Sequence, residues 1–480
     1  MQFNSLTYLL FIPVAFTPFW LIKDKYRWIV LLLASIVFYA WLQIPYLLVV
    51  LLLITLNTYF FAIQIQKQDT NEKRKKQFFW FGLSINLLVL IYLKYLPFLI
   101  TNINGLLRLF SSLNLPMSKV LVSVGVSFYT FQAISYLIDV YLGKIKPEKH
   151  FGYFSLYLCF FPKILQGPIE RASKLLPQLK KPYEFNYMQT REGLILFVWG
   201  LFKKIVIADR LAFLVNTVFE KPEGIVGIPM IITIYAFAIQ IYMDFSGYTD
   251  MALGTAKLFG IELTDNFRYP YAARSVTDFW RRWHITFSNW LQDYIFKPFQ
   301  MQFRYWKVWG SITALLITFF ISGLWHGASW TFIIWGLLHG IYLSIDQLWL
   351  PYRKKLNRRF NLDKIKLWNW LEIFVTFNLV SFAWIFFRTE SLGKALVVIR
   401  NICYLRLSNF HLQINKFRTF GFNIYDIFII IVALLIVLSR NILKVKMIKS
   451  TLRYIIYIGI IIILIICAYK VESNFTYWRF

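Results

Sequence analysis

Residues 308–345 read V-W-G-S-I-T-A-L-L-I-T-F-F-I-S-G-L-W-H-G-A-S-W-T-F-I-I-W-G-L-L-H-G-I-Y-L-S-I, 38 residues without one Asp, Glu, Lys or Arg. A helix crosses a bilayer with about 20 apolar residues, so this run belongs in a membrane. His326 is the nineteenth residue of the stretch. An ionisable group inside so long an apolar run is a functional candidate by default. If the stretch folds instead as a tight hairpin, His326 lies at its turn on the membrane surface and does nothing. Spacing alone leaves both readings open.

The rest of the chain agrees. Of its 480 residues 58% are hydrophobic, 20% aromatic and 16% charged. Soluble domains average about a quarter charged, and the mean hydropathy is +0.56. Uncharged apolar stretches recur along nearly the whole length, the pattern of bilayer-spanning helices. This excludes a soluble multidomain enzyme, a disordered chain, a coiled coil and collagen. Lys plus Arg is 52 against 23 Asp plus Glu, a net charge of +29. In a polytopic protein such an excess belongs to cytoplasmic loops and anionic lipid rather than to nucleic acid. Cys159, Cys403 and Cys467 are too far apart for a disulfide framework or a cysteine zinc site. The five histidines have no metal-ligand spacing.

Residues 1–21 carry no charge and are followed by Lys23, Lys25 and Arg27. A signal peptide has the opposite order, so the N-terminus reads as a retained span entering from outside. Residues 27–42 and 43–65 form an out-and-back pair ending in a basic cytoplasmic loop at 66–77. Further apolar segments follow at 78–107, 119–142, 151–165, 191–218, 226–247, 308–345, 367–388, 425–439 and 454–469. Arg353 to Lys366 holds seven basic residues and one Asp, and Arg440 to Arg453 holds five and no acid. Both read as cytoplasmic loops. The expectation is an all-α polytopic membrane protein of about eleven transmembrane helices, with re-entrant or interfacial pieces at 151–165 and 279–296. Its core is 1–450, and 451–480 forms a last helix with an extracytoplasmic tail.

Four segments carry candidate chemistry. In F-W-R-R-W-H-I-T-F-S-N-W-L-Q-D-Y (279–294), helical periodicity puts Trp280, Trp283, Phe287, Trp290 and Tyr294 within an arc of about 80°, with His284 at its border. That is an amphipathic helix in the headgroup layer, and it leaves open a role for His284. Y-M-D-F-S-G-Y-T-D (242–250) ends an apolar span with two carboxylates among hydroxyls, which line a polar cavity or mark the helix's emergence. F-P-K-I-L-Q-G-P-I-E (161–170) breaks a helix with two prolines and a glycine, a feature tolerated at membrane depth only against protein or water. The fourth segment is L-W-H-G at 324–327.

Taken together and in this order, these motifs resemble the membrane-bound O-acyltransferase (MBOAT) family. The bacterial branch with alginate and peptidoglycan O-acetyltransferases and the teichoic-acid D-alanyl transfer protein is the most similar. The resemblance covers roughly residues 5–345 and the C-terminal tail. Where the alginate-type proteins carry a glycine-rich basic loop after D-Y, this chain reads K-P-F-Q-M-Q-F-R-Y-W-K (297–307).

The resemblance implies a ring of helices thinned at its centre, with an outer funnel nearly meeting a cytoplasmic channel at His326 and His284 nearby. An imidazole titrates near the working pH, so His326 would take the proton from an acceptor hydroxyl attacking a thioester. Donors to the oxyanion would come from His284, Asn289 and tryptophan N–H groups. Substrate-binding positions implied alongside them are Gln166, Asp244, Ser246, Trp283, Ser288, Asn289, Asp293 and Trp325. The tail N-F-T-Y-W-R-F (474–480) resembles a terminal motif whose tyrosine, here Tyr477, accepts the acyl group and passes it on. The tail also suits an aromatic belt at the outer interface.

The activity implied is transfer of an acyl group, acetyl above all, from cytoplasmic acetyl-CoA or an acyl carrier protein to an extracytoplasmic glycan, with no bound cofactor or metal. An SGNH-type extracytoplasmic transferase would be the partner, and membrane lipid the surroundings, in a bacterial cytoplasmic membrane. Two other readings stand beside it. A transporter or flippase for a lipid-linked glycan precursor requires paired charges within several spans, for which Asp139, Asp244 and Asp250 are the visible candidates. A non-catalytic scaffold would be indifferent to His326.

Overall fold

The computed structural model describes residues 1–110, 114–116 and 123–404, with isolated positions between 415 and 464. Among these residues every regular element is helical. The chain forms α1 (Leu6–Leu21), α2 (Arg27–Ala40), α3 (Pro45–Lys67), α4 (Glu72–Leu90), α5 (Leu96–Leu107), α6 (Val126–Tyr141), α7 (Phe151–Cys159), α8 (Ala172–Lys180) and α9 (Tyr187–Phe202). There follow α10 (Asp209–Glu220), α11 (Ile228–Leu258), α12 (Val276–Trp280), α13 (Ile285–Leu291), α14 (Lys297–Gln302), α15 (Val308–His326), α16 (Trp330–Phe360), α17 (Lys366–Arg388) and α18 (Leu392–Cys403). Helices begin where the sequence supplies a cap. Ser5 Oγ accepts from the Tyr8 N–H at 3.2 Å, Ser275 Oγ from Asp278 at 3.1 Å, and Pro45 opens α3.

Six helical runs among the described residues are long and apolar enough to cross a membrane: α3, the run Glu72–Leu107, α11, α15, α16 and α17. The protein is therefore an all-α, multi-pass membrane protein. α1 is apolar but shorter. The spans expected at 425–439 and 454–469, the boundary at 450 and Tyr477 lie outside the described residues.

The chain divides into two compact units. The first comprises Met1–Phe197, Met251–Asp265 and Asn289–Tyr294. Within it α3 and α4 are joined by a buried amide ladder: Asn57 Nδ2 donates to Asn86 Oδ1 at 2.9 Å, and Asn86 Nδ2 to Thr58 Oγ1 at 3.1 Å. In hydrocarbon, where water offers no alternative partner, such bonds hold helices in register. The 160–170 segment leaves the helical path after α7, as its prolines require, and is buried throughout. Lys163 there donates to Gln132 Oε1, and to the Leu158 carbonyl at 3.4 Å.

The second unit comprises Val198–Asp250, Asn266–Ser288 and Ile295–Phe480. A π-helical turn, Lys203–Ala208, leads into α10, and α15 and α16 form a hairpin. Arg274 and Arg353 both pair with Glu372, each at 2.6 Å, fixing α16 against α17.

Four expectations need correction. The 38-residue run is not one span: Gly327, Ala328 and Ser329 interrupt it, and the Ser329 hydroxyl caps α16. The segment 279–296 is not one interfacial helix but α12, a tight turn, α13 and a π-helical turn at Gln292–Phe296, with most of its aromatic stripe buried. The basic residues Arg353–Arg359 are not a loop, because α16 continues through them to Phe360; Arg and Lys are good helix formers. The apolar segment 191–218 is also less uniform than it reads, since it carries two buried lysines at its centre.

Candidate active site

The break after α12 is built by Asn266. Its carbonyl accepts from the Ile285 N–H at 3.0 Å, and its Oδ1 accepts from the Thr286 N–H at 3.1 Å and the Thr286 hydroxyl at 2.7 Å. These bonds supply the first turn of α13 with the acceptor a capping residue would otherwise provide. Arg268 N–H donates to the Arg282 carbonyl at 2.9 Å, closing the other side of the turn. His284 sits between the two with φ +43°. Left-handed backbone is uncommon outside glycine, though histidine is among the residues enriched there. The continuous helix predicted from periodicity is lost at this residue.

The turn puts His284 beside Phe245, Phe287 and Trp325, at ring-centre distances of 4.8, 5.0 and 6.1 Å. His326, the last residue of α15, lies 4.8 Å from Trp325, 5.6 Å from Phe287, 4.8 Å from Trp335 and 5.2 Å from Phe387. Two imidazoles thus share Phe287 and Trp325, whose rings stack at 4.3 Å. His284 is fully buried and His326 is 4% exposed. The hairpin reading was right about the turn but not about the histidine's place: His326 is buried inside the protein rather than lying on the membrane surface.

Glycines bring the hairpin's two helices together. A Cβ on Gly336 would stand 2.2 Å from the Phe319 carbonyl oxygen, and one on Gly323 would stand 2.4 Å from that of Phe332. Backbones in such contact are the small-residue packing of membrane helices. It sets Trp335, next to Gly336, against His326. Around the same rings, the buried Ser322 Oγ, Trp335 Nε1, His339 Nε2 and Ser381 Oγ have no hydrogen-bond partner among the described residues.

His284 lies outside the membrane-crossing helices, and burial pushes its imidazole down to about 3. Burial thus favours the neutral imidazole, which can accept one hydrogen bond and donate another. Sequence reasoning missed His339, whose Nδ1 accepts from Trp280 Nε1 at 3.2 Å and whose ring lies 5.1 Å from Trp335. The criterion that singled out His326 applied to it equally, because it occupies the same charge-free run.

The other expected residues distribute differently. Trp283 packs on Trp384 at 5.2 Å, and Ser288 Oγ donates to the Trp283 carbonyl at 3.1 Å. Asp244 and Ser246 belong to a buried ionic cluster. Lys204 Nζ lies 2.8 Å from both Asp244 and Asp209, while Lys203 Nζ lies 2.8 Å from Asp250 and 3.2 Å from Ser246 Oγ. The two lysines went unnoticed because basic residues were counted toward loops. In the first unit, Asp293 pairs with Arg171 at 3.1 Å, the Asn289 side chain is exposed, and Gln166 is buried.

A model of the MBOAT, membrane-bound O-acyltransferase family, matches residues 31–387, which include every ring around His326 and His284. The chain belongs to this family. Among its membrane-bound O-acyltransferase relatives, the peptidoglycan O-acetyltransferase of Helicobacter pylori is 35% identical over 82% of this chain and 77% of its own length. The probable alginate O-acetylase of Pseudomonas aeruginosa is 34% identical over 82% of this chain and 73% of its own. The teichoic acid D-alanyltransferase of Bacillus subtilis is 27% identical over 57% and 70%. The protein is a membrane acyltransferase.

Proposed function

We propose that this acyltransferase moves an acetyl group from a cytoplasmic thioester, acetyl-CoA or an acylated carrier protein, to hydroxyls of an extracytoplasmic polysaccharide, in the cytoplasmic membrane of a bacterium. The observation that carries the chemistry is the pair of buried imidazoles that share contacts with Phe287 and Trp325. His326 takes the hydroxyl proton as the oxygen attacks the thioester carbonyl. The new C–O bond forms, the C–S bond breaks, and the imidazolium returns its proton to the departing thiolate. His284, kept neutral by burial, is the hydrogen-bond donor to the oxyanion. Acetyl is preferred over D-alanyl because relatives that align over 82% of this chain are named as an O-acetyltransferase and an O-acetylase, whereas the D-alanyltransferase of Bacillus subtilis aligns over 57%.

In this reading the first acceptor is the phenol of Tyr477. Its ester is more activated than a sugar ester, because the phenol leaves with a pKa near 10. The acyl-tyrosine then passes the group to the glycan, with an SGNH-type extracytoplasmic partner completing the transfer. The buried Lys–Asp cluster is the feature expected of a transporter, but it forms one group around a single π-helical turn rather than pairs in several spans. Purified full-length protein in detergent, given labelled acetyl-CoA, a soluble glycan and the SGNH-type partner, tests the proposal. His326→Ala should lower transfer by about 10²–10⁴-fold with unchanged thermal unfolding. Turnover above a tenth of wild type overturns the assignment.

A further inference from the structure

Within the first unit, a cavity of about 290 Å³ opens where α1 ends and α2 begins. Four cations line it, Lys25, Arg27, Lys180 and Lys181, against one acid, Asp24. Its floor is apolar, made by Phe19, Leu31 and Ile261. Arg27 stands at the back, pairing with Asp24, donating to the Tyr183 carbonyl, and stacked 4.8 Å over the Trp20 ring. Lys180 pairs with the buried Glu148, while Lys25 and Lys181 lie exposed at the mouth. The wall is fitted rather than accidental. Trp28 packs so closely on α7 that a Cβ on Gly152 would come within 2.3 Å of its ring.

The depth of this cavity is set by α1. Leu6, Leu10, Val14 and Leu21 are 64–81% exposed along its outer side, an apolar face of the kind that meets lipid tails. The first charges follow immediately, so the cavity mouth is at headgroup level. Cations at the rim, an aromatic wall and an apolar floor form a shape for a phosphate with a hydrocarbon body behind it. Basic pockets beside membrane helices bind anionic headgroups in this way. We infer that this cavity is a binding site for an anionic phospholipid, its phosphate held by Lys25, Arg27, Lys180 and Lys181, and its glycerol end lying on Phe19, Leu31 and Ile261. The phosphates of a coenzyme-A donor share this chemistry. The lipid is favoured because the mouth borders a lipid-facing helix.

The test uses full-length protein in phosphatidylcholine vesicles carrying phosphatidylglycerol with a photoactivatable headgroup, the crosslinked peptides being mapped by mass spectrometry. Labelling should fall on residues 24–31 and 179–183 and should be undiminished by excess acetyl-CoA. Each lysine removed should weaken capture about fivefold, so Lys25→Ala, Lys180→Ala and Lys181→Ala combined should lower labelling about a hundredfold. The matching Lys→Arg triple should retain it. Equal labelling in the alanine triple overturns the site, and displacement by acetyl-CoA reassigns it to a free phosphate ligand. The wild-type protein alone gives a second check: no preference for a phosphatidylglycerol probe over a phosphatidylcholine one also overturns it.

Discussion

The glycine contact beneath His326 yields the sharpest prediction. In Gly336→Ala the new methyl would stand 2.2 Å from the Phe319 carbonyl oxygen, 3.0 Å from the Gly323 nitrogen and 3.1 Å from its Cα. Ordinary contact begins at 3.4 Å, and all three opposing atoms are backbone, so no side chain can swing aside. α15 and α16 must therefore part by about 1 Å at the turn before His326, a displacement able to cost about 10²-fold in rate. The same substitution one turn along is an internal control. A Cβ at Gly340 meets the side-chain atoms Leu316 Cδ2 and Phe319 Cβ at 3.3 Å, both able to yield by a tenth of an ångström. Acetyl transfer by purified protein should fall about 10²-fold in Gly336→Ala and less than threefold in Gly340→Ala, with monodisperse protein in both cases. Equal activity in the two variants would refute the claim that close backbone packing positions the histidine.

Other expectations can be checked with the same preparation. His284→Ala should lose one to three orders of magnitude of activity with little change in protein level; wild-type turnover would make it an ornament of the turn. Because burial holds the folded His284 at about 3, below the ordinary 6.5, the unfolded chain binds the extra proton between those values. The neutral-imidazole contribution to stability is therefore full above about pH 6.5 and is lost as pH falls toward 3. Thermal unfolding of His284→Gln should decline less steeply than wild type from about pH 7 to pH 5. Lys204→Met strands Asp209 and Asp244, 3% and 1% exposed, and should destabilise by about 3–5 kcal/mol, seen as lost protein in membranes; normal yield would mean the cluster is solvated. Tyr477→Phe should abolish glycan acetylation while thioester cleavage persists, and full glycan acetylation would reduce the tail to an anchor.

The sequence was most legible where one residue type repeats. Apolar runs marked α1, α2 and α3 nearly to their ends but began α4 late, because its largely basic first residues, Glu72 to Gln77, read as loop, and the proline-broken 160–170 segment was read correctly. What it concealed depended on partners far along the chain. No periodicity across 279–294 can reveal that Asn266 will cap Thr286 and turn His284 out of the helix. A charge-free run offers a hairpin without deciding for it, since Gly327-Ala328-Ser329 is apolar enough to pass as membrane. Lys203 and Lys204 look like solvated charges until Asp244 and Asp250, some 40 residues later, meet them. Asn289 and Asp293 illustrate the converse. Motif membership singled them out without telling that one is exposed and the other is held by Arg171.

The π-helical turn at Lys203–Ala208 has a consequence for which changes the chain can absorb. In an α-helix, residues five apart diverge by about 140°; the wider turn instead brings Lys204 and Asp209 to one side, 2.8 Å apart. It thereby lets two consecutive lysines both face inward, one toward Asp250 and the other toward Asp244. The spacing does the work, and the identities of Ile205, Val206 and Ile207 matter less. Rewinding the same residues as α-helix, with none removed, would rotate everything beyond them by about 100°. Every lysine and aspartate would survive, but each would face the wrong neighbour. The segment behaves like a vernier, in which a shift of one division misaligns the whole scale.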